Sequence, residues 1–155
     1  MVSSKLQTAA DIFTCAAGDF KSVHWNVRGP EFDVMHEVAQ HYYEEAAKDA
    51  DELSEWTAAH EGIALNPNDA SSRISWPTDS KTYTRDAAVA KFTDVITTLV
   101  ATLETLLDEG TAIANLAATR SEFWTKELSY FNKSREPTQQ GGSSLGGSSL
   151  GGSSL

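Results

Sequence analysis

Four stretches of this chain repeat apolar residues at intervals of three and four, and none alternates apolar and polar residues over a strand's length. A chain patterned this way buries its side chains by packing helices together. The first helix is expected from about Ser3 or Ser4 to Val27, with Leu6, Ala10, Phe13, Ala17 and Phe20 on its stripe. Arg28-Gly29-Pro30 ends it, because proline disfavours helical geometry in the residue before it. The second runs from Phe32 to His60, with Phe32, Met35, Val38 or Ala39, Tyr42, Ala46, Ala50, Leu53 and Thr57 facing inward. Asp33 complements the dipole at its start and Gly62 terminates it. The third, Arg85 to Glu109, carries Val89, Phe92, Val95 or Ile96, Leu99, Leu103 and Leu106, and Gly110 follows it. The fourth, Thr111 to about Ser134, carries Ile113, Leu116, Phe123, Leu128 and Phe131, and Pro137 closes the domain.

Between the second and third helices lie residues 62–83. That is long for a bundle connection, where about two to eight residues is usual. A bundle with consecutive parallel helices needs such a crossover. A short helix from about Asn68 to Ile74, just after Pro67, fits within it. The expected architecture is therefore all-α: a four-helix bundle over residues 1–137 with one long crossover. Residues 138–155, ending in GGSSL three times, read as a flexible Gly/Ser tail.

The chain has 155 residues, enough for one domain with a real core, and a formal net charge of −10. That balance opposes a sequence-independent grip on nucleic acid or an anionic membrane, and favours a protein whose field gathers cations. Cys15 is the one cysteine, so no intrachain disulfide forms. The start, MVSSKLQTAADIFT, reads neither as a signal peptide nor as a membrane span, so the expected location is the cytoplasm.

His24, His36, Asp51 and Glu55 are the candidate metal ligands. Imidazole nitrogen with carboxylate oxygen suits iron and other borderline divalent metals. Asp51 and Glu55 are four apart and share a helix face. His36 and Asp51 are fifteen apart, or ~22 Å of helical rise, so they cannot hold one ion within one chain. Fifteen residues at ~100° each still leave both on the same general side. A two-fold axis near Glu44 or Glu45 would run this helix antiparallel to its mate, bringing His36 of one copy to Asp51 and Glu55 of the other.

The stretch His24-Trp25-Asn26-Val27-Arg28-Gly29, then Phe32, His36 and Asp51-Glu52-Leu53-Ser54-Glu55, resembles the signature of the Dps mini-ferritins, the family named for DNA protection in starved cells. The resemblance spans about residues 20–57. It implies a ferritin-like subunit, a twelve-subunit hollow shell and an intersubunit ferroxidase centre where peroxide or dioxygen oxidises Fe²⁺. It places that centre on His24 and His36 with Asp51 and Glu55 of the two-fold mate. It makes Trp25 an oxidisable side chain beside the iron; packing is the alternative role. The chain departs from the family pattern at Trp56, where an arginine is usual, and in lacking a lysine-rich tail, with only Lys5 before the helix body. Family members often line a three-fold pore with aspartates near the start of the last helix; here Asp108 and Glu109 precede Thr111-Ala112-Ile113.

Two other functions compete: a DNA-coating nucleoid protein, which the charge opposes, and a structural shell without catalysis. His41 and His60 read as solvated, Tyr42 and Tyr43 as core and interface aromatics, and Cys15 as a small buried apolar residue. Glu44 and Glu45 read as a solvated face or as facing their own copies with lysine partners such as Lys48.

Overall fold

A computed structural model describes residues 4–135, with side chains described through residue 131. The order is α1 (Lys5–Asn26), α2 (Phe32–Glu61), a 3₁₀ turn (Pro67–Asp69), the short α3 (Ala70–Arg73), α4 (Arg85–Glu104) and α5 (Thr111–Arg135). It is the expected all-α bundle with a long crossover. Pro137 and the tail lie outside the described residues.

Local chemistry sets the ends. The Ser4 hydroxyl accepts from the Gln7 N–H at 3.0 Å and that of Thr84 from the Ala87 N–H at 3.2 Å, so α1 and α4 each start on a capping side chain. Gly62 ends α2 in the left-handed region at φ 83°. The expected Asn68–Ile74 helix is a 3₁₀ turn followed by α3, and it stops at Ser75, with φ 51°. The Trp76 N–H reaches back to the Ser71 carbonyl at 2.9 Å, so Ser75 holds the helix-terminating position that glycine usually fills.

The third helix is shorter than expected. Regular α4 ends at Glu104, and tighter bonds follow, from the Leu106 N–H to Leu103 (3.0 Å) and the Glu109 N–H to Leu106 (3.1 Å). The Thr105 hydroxyl donates to the Thr102 carbonyl at 2.6 Å, competing with the helical ladder. In α5 the inner face is shifted: Ile113, Ala117, Trp124 and Phe131 are buried, while the expected Leu116, Phe123 and Leu128 are only partly so.

Phe20, Tyr42, Phe92, Trp124 and Phe131 pack at the centre, with Phe20 stacked on Trp124 at 6.0 Å and Tyr42 edge-on to Phe92 at 5.3 Å. Polar groups cross this core in pairs. The Trp124 indole N–H donates to Asp49 at 2.8 Å, and the Tyr42 hydroxyl donates to Glu127 at 2.9 Å. Arg120 lies between Glu45 (2.7 Å) and Asp49 (2.6 Å), with its guanidinium over the Phe123 ring. Burial holds the Asp49 carboxyl above the usual range even though Trp124 and Arg120 pull it down; at Glu45 burial is outweighed by Arg120 and Lys48, and the carboxyl is lowered.

A second polar clasp pins the crossover to α1. Buried Asp11 accepts from Arg73 at 2.8 and 2.6 Å and from Gln7 at 3.0 Å, while the Gln7 carbonyl accepts from the Leu65 N–H at 2.8 Å. The indole N–H of Trp76 donates to Asp19 at 3.0 Å. Cys15 is half-buried rather than fully buried, because it borders a cavity under this connector. Burial, with Asp11 and Asp19 nearby, pushes its thiol up to about 11. No helix among the described residues is long and apolar enough to cross a membrane.

Candidate metal centre

The site begins where α1 ends. At Val27 the backbone turns extended (φ −70°, ψ 141°), and residues 26–28 pair with the far end of the crossover. The Arg28 N–H donates to the Tyr83 carbonyl at 2.8 Å and the Tyr83 N–H donates to the Asn26 carbonyl at 3.0 Å. Arg28 N–H is the group that would have closed the next helical bond to the His24 carbonyl. That carbonyl therefore accepts from elsewhere, and His36 Nδ1 supplies the proton at 2.7 Å. The reverse contact completes the pair: His24 Nδ1 donates to the His36 carbonyl at 2.9 Å.

This reciprocal bonding decides the tautomers. A carbonyl oxygen only accepts, so Nδ1 of both rings carries the proton. In the neutral rings Nε2 is then left with its lone pair, the form that binds metals, and the other ring nitrogen is anchored as it usually is in a metal-ligating histidine. The two rings lie face to face, centroids 3.6 Å apart and 20° from parallel.

Aromatic neighbours frame the pair. Phe32 stacks on His36 at 5.0 Å, and Tyr43 meets the His24 ring edge-on at 5.3 Å. The Lys21 ammonium lies 5.4 Å from the centre of the Tyr43 ring. Phe32, expected on the buried stripe, is 38% exposed because it sits on the outer side of His36 in the first turn of α2. Trp25 is 65% exposed and makes no ring contact among the described residues. Sequence periodicity assigned Tyr43 to core or interface; its heptad-like distance of seven from His36 was the available sign that both share a face.

Asp51 and Glu55 stand apart from this pair. Both are exposed, and no hydrogen bond or ion pair holds either among the described residues. α2 is one uninterrupted helix from Phe32 to Glu61, which keeps Asp51 ~22 Å of rise from His36. Asp51 lines a groove of about 720 Å³ between α2 and the crossover, with Thr14, Ser54, Ile63, Leu65 and Pro67. Among the described residues no three His, Cys, Asp or Glu side chains gather closely enough to hold a metal ion. One chain thus presents an imidazole half and a carboxylate half, separately.

The other sequence candidates are also placed. His41 and His60 are exposed, and Trp56 is partly buried with its ring 5.7 Å from His60. Asp108 and Glu109 pair with Lys5 at 3.2 and 3.5 Å, tying the start of α1 to the α4–α5 turn.

A family model described as a ferritin-like domain matches residues 14–128, a span that contains all four candidate ligands. The chain belongs to the ferritin-like family. Among solved structures this ferritin-like chain is similar to Dps92 from Deinococcus radiodurans (19% identity, 88% of this chain and 86% of that one, TM-score 0.76). It is similar also to DpsA14 from Streptomyces coelicolor (21% identity, 86% and 83%, TM-score 0.77) and to Dps from Mycobacterium smegmatis (22% identity, 87% and 86%, TM-score 0.76). At these identities the likeness establishes the fold, which is the ferritin-like bundle of Dps subunits. No curated protein sequence matches the chain.

Proposed function

We propose that this ferritin-like chain is the subunit of a hollow shell that takes up Fe²⁺ between two-fold-related copies, oxidises it with peroxide or dioxygen, and stores the Fe³⁺. The observation that carries this reading is the reciprocal histidine pair. Two imidazoles bonded through Nδ1 to each other's backbone have Nε2 ready before any metal arrives. His24 and His36 would bind iron from one copy, and Asp51 and Glu55 from the other would supply hard oxygen donors that favour Fe³⁺. An antiparallel pairing about the middle of α2 joins these halves. The same pairing sets exposed Trp25, Phe32 and Val34 at one end of the face against exposed Ile63 and Leu65 at the other. Near the axis, Glu45 is already engaged by Arg120 and Lys48, and Glu44 accepts from Gln40 at 3.0 Å, which moderates repulsion between the copies.

Two Fe²⁺ ions and two protons reduce one hydrogen peroxide to two waters, which balances the chemistry without a further donor. The shell is expected to contain twelve copies and to work in the cytoplasm, as the resemblance to Dps proteins implies. A DNA-coating role is disfavoured by the net charge of −10. Within the proposed site Trp25, which follows His24 in sequence, is assigned the donation of stray electrons.

The test is the double substitution His36→Ala with Asp51→Ala. Rapid Fe²⁺ oxidation with peroxide, followed by absorbance, is expected to disappear, while size-exclusion chromatography finds the shell intact. Oxidation at the parent rate would place the site elsewhere. Dissociation into monomers would favour a structural role for the site.

A further inference from the structure

The last four carbonyls of α1 each accept from a different donor. Val23 accepts from the Val27 N–H at 2.9 Å, His24 from His36 Nδ1 at 2.7 Å, Trp25 from the Arg28 guanidinium at 3.3 Å and Asn26 from the Tyr83 N–H at 3.0 Å. One exchange breaks this set. If the Arg28 N–H left the Tyr83 carbonyl, the acceptor within its helical reach is the His24 carbonyl, four residues back, and His36 would have to compete for it. The end of the crossover holds the Arg28 N–H away. Tyr83 is 2% exposed and packed in the core, and Thr84, the next residue, caps α4 through its hydroxyl. The Tyr83 backbone is thus fixed by its own ring on one side and by the start of a helix on the other.

We propose that Tyr83 is a positioning residue for the iron site: its buried ring docks the crossover so that its carbonyl takes the Arg28 N–H and leaves the His24 carbonyl to His36. The inference rests on the iron-oxidising reading above. Tyr83 acts through its backbone groups, which lie between the crossover and the ligands, and not by contact with the metal. With the bridge closed, His36 Nδ1 keeps its proton on the His24 carbonyl and Nε2 keeps its lone pair for a metal. With the bridge open, the His36 ring is released to turn or to change tautomer. Metal therefore binds the closed form more tightly, and by linkage it must favour closure by the same factor. The net contribution of one hydrogen bond sets that factor at about three- to tenfold. The crossover and the histidine half of the site then behave as one unit, although fifty residues separate them in the chain at roughly one end of the bundle.

The experiment uses the assembled full-length protein and Zn²⁺, which takes imidazole and carboxylate ligands and is not oxidised. Amide hydrogen exchange is followed residue by residue by mass spectrometry, with and without Zn²⁺. Exchange of the Arg28 and Tyr83 amides is expected to slow about three- to tenfold relative to the Trp76 amide, which bonds to Ser71 within the crossover and serves as the control. This readout needs no variant, and a ring that merely fills the core would not produce it. In calorimetry, Zn²⁺ affinity should fall by the same factor in Tyr83→Ala and stay within about twofold of the parent in Tyr83→Phe, which keeps the ring. Zn²⁺ binding with no slowing, or with equal slowing at all three amides, would overturn the inference and leave the iron reading standing. So would a loss of affinity in Tyr83→Phe as large as in Tyr83→Ala. If the parent shows no Zn²⁺ binding that His36→Ala removes, the iron reading falls, and this inference with it.

Discussion

The two halves of α2 carry the two halves of the candidate site in opposite states. At the amino-terminal end, His36 is locked to α1 by two hydrogen bonds and a ring stack. At the carboxy-terminal end, Asp51 and Glu55 are exposed and held by nothing among the described residues. The difference follows from chemistry. Imidazole can satisfy one nitrogen within the fold and keep the other for a ligand, whereas a carboxylate fixed by a strong internal donor loses part of its capacity to bind a cation. A fold can therefore pre-set the nitrogen donors, and in the proposed dimer the carboxylates are oriented only by the partner and the ion.

The link between the halves is the middle of α2, and breaking it should have the largest effect. Arg120→Ala leaves the mostly buried Asp49 and Glu45 carboxylates without their shared cation. Stripping one partner from a buried ionic cluster costs about 3–5 kcal/mol. Urea unfolding should register a loss of that size; a loss under 1 kcal/mol would mean that water replaces Arg120 freely.

The comparison of the halves can then be sharpened directly. His36→Ala removes the hydrogen bond from the His36 ring and its stack on His24, and leaves the His24 carbonyl without its donor, a loss of about 1–3 kcal/mol; the bond from His24 Nδ1 to the backbone carbonyl of residue 36 is not removed. Asp51→Asn and Glu55→Gln should each change stability by no more than about 0.5 kcal/mol, as for exposed positions without partners. Equal effects from the two ends in chemical denaturation would erase the distinction between a built half and an open half.

A modest gain in stability, in place of a loss, is expected in the crossover beside the carboxylate half. Ser75 occupies a left-handed conformation at φ 51° that an L side chain adopts at a cost. Ser75→Gly should stabilise the chain by up to about 1 kcal/mol, seen as a higher midpoint in thermal unfolding. Destabilisation would mean that the serine hydroxyl contributes more than the backbone strain takes away.

Helix number, order and most of the inner faces were legible because period-3.6 stripes such as Val89, Phe92, Ile96, Leu99 and Leu103 leave only one side to bury. The shifted face of α5 was not, since Trp124 turns inward to donate to Asp49, a polar contact that an apolar stripe cannot reveal. Gln7, Asp11 and Arg73 escaped notice for the same reason: their partnership joins residues more than fifty apart in sequence. At the site, the sequence motif singled out His24 and His36 as candidate ligands, and the structure sets their rings against each other. The bonding that fixes their tautomers could not be read, because it depends on which backbone group Arg28 N–H leaves open when it turns to Tyr83.

That turn bears on the order in which the molecule is assembled during folding. The parallel bridge between Val27 and Tyr83 closes a loop of more than fifty residues that contains all of α2 and the crossover. Closing so long a loop is entropically unfavourable and becomes cheap only once α1 and α2 have already docked. Until it closes, the Arg28 N–H lacks the Tyr83 carbonyl that draws it from the helical ladder, and the His24 carbonyl is not reserved for His36. The imidazole pair is thus among the last features to mature, and a chain with a collapsed but incomplete bundle would not yet have the preset half of the proposed site.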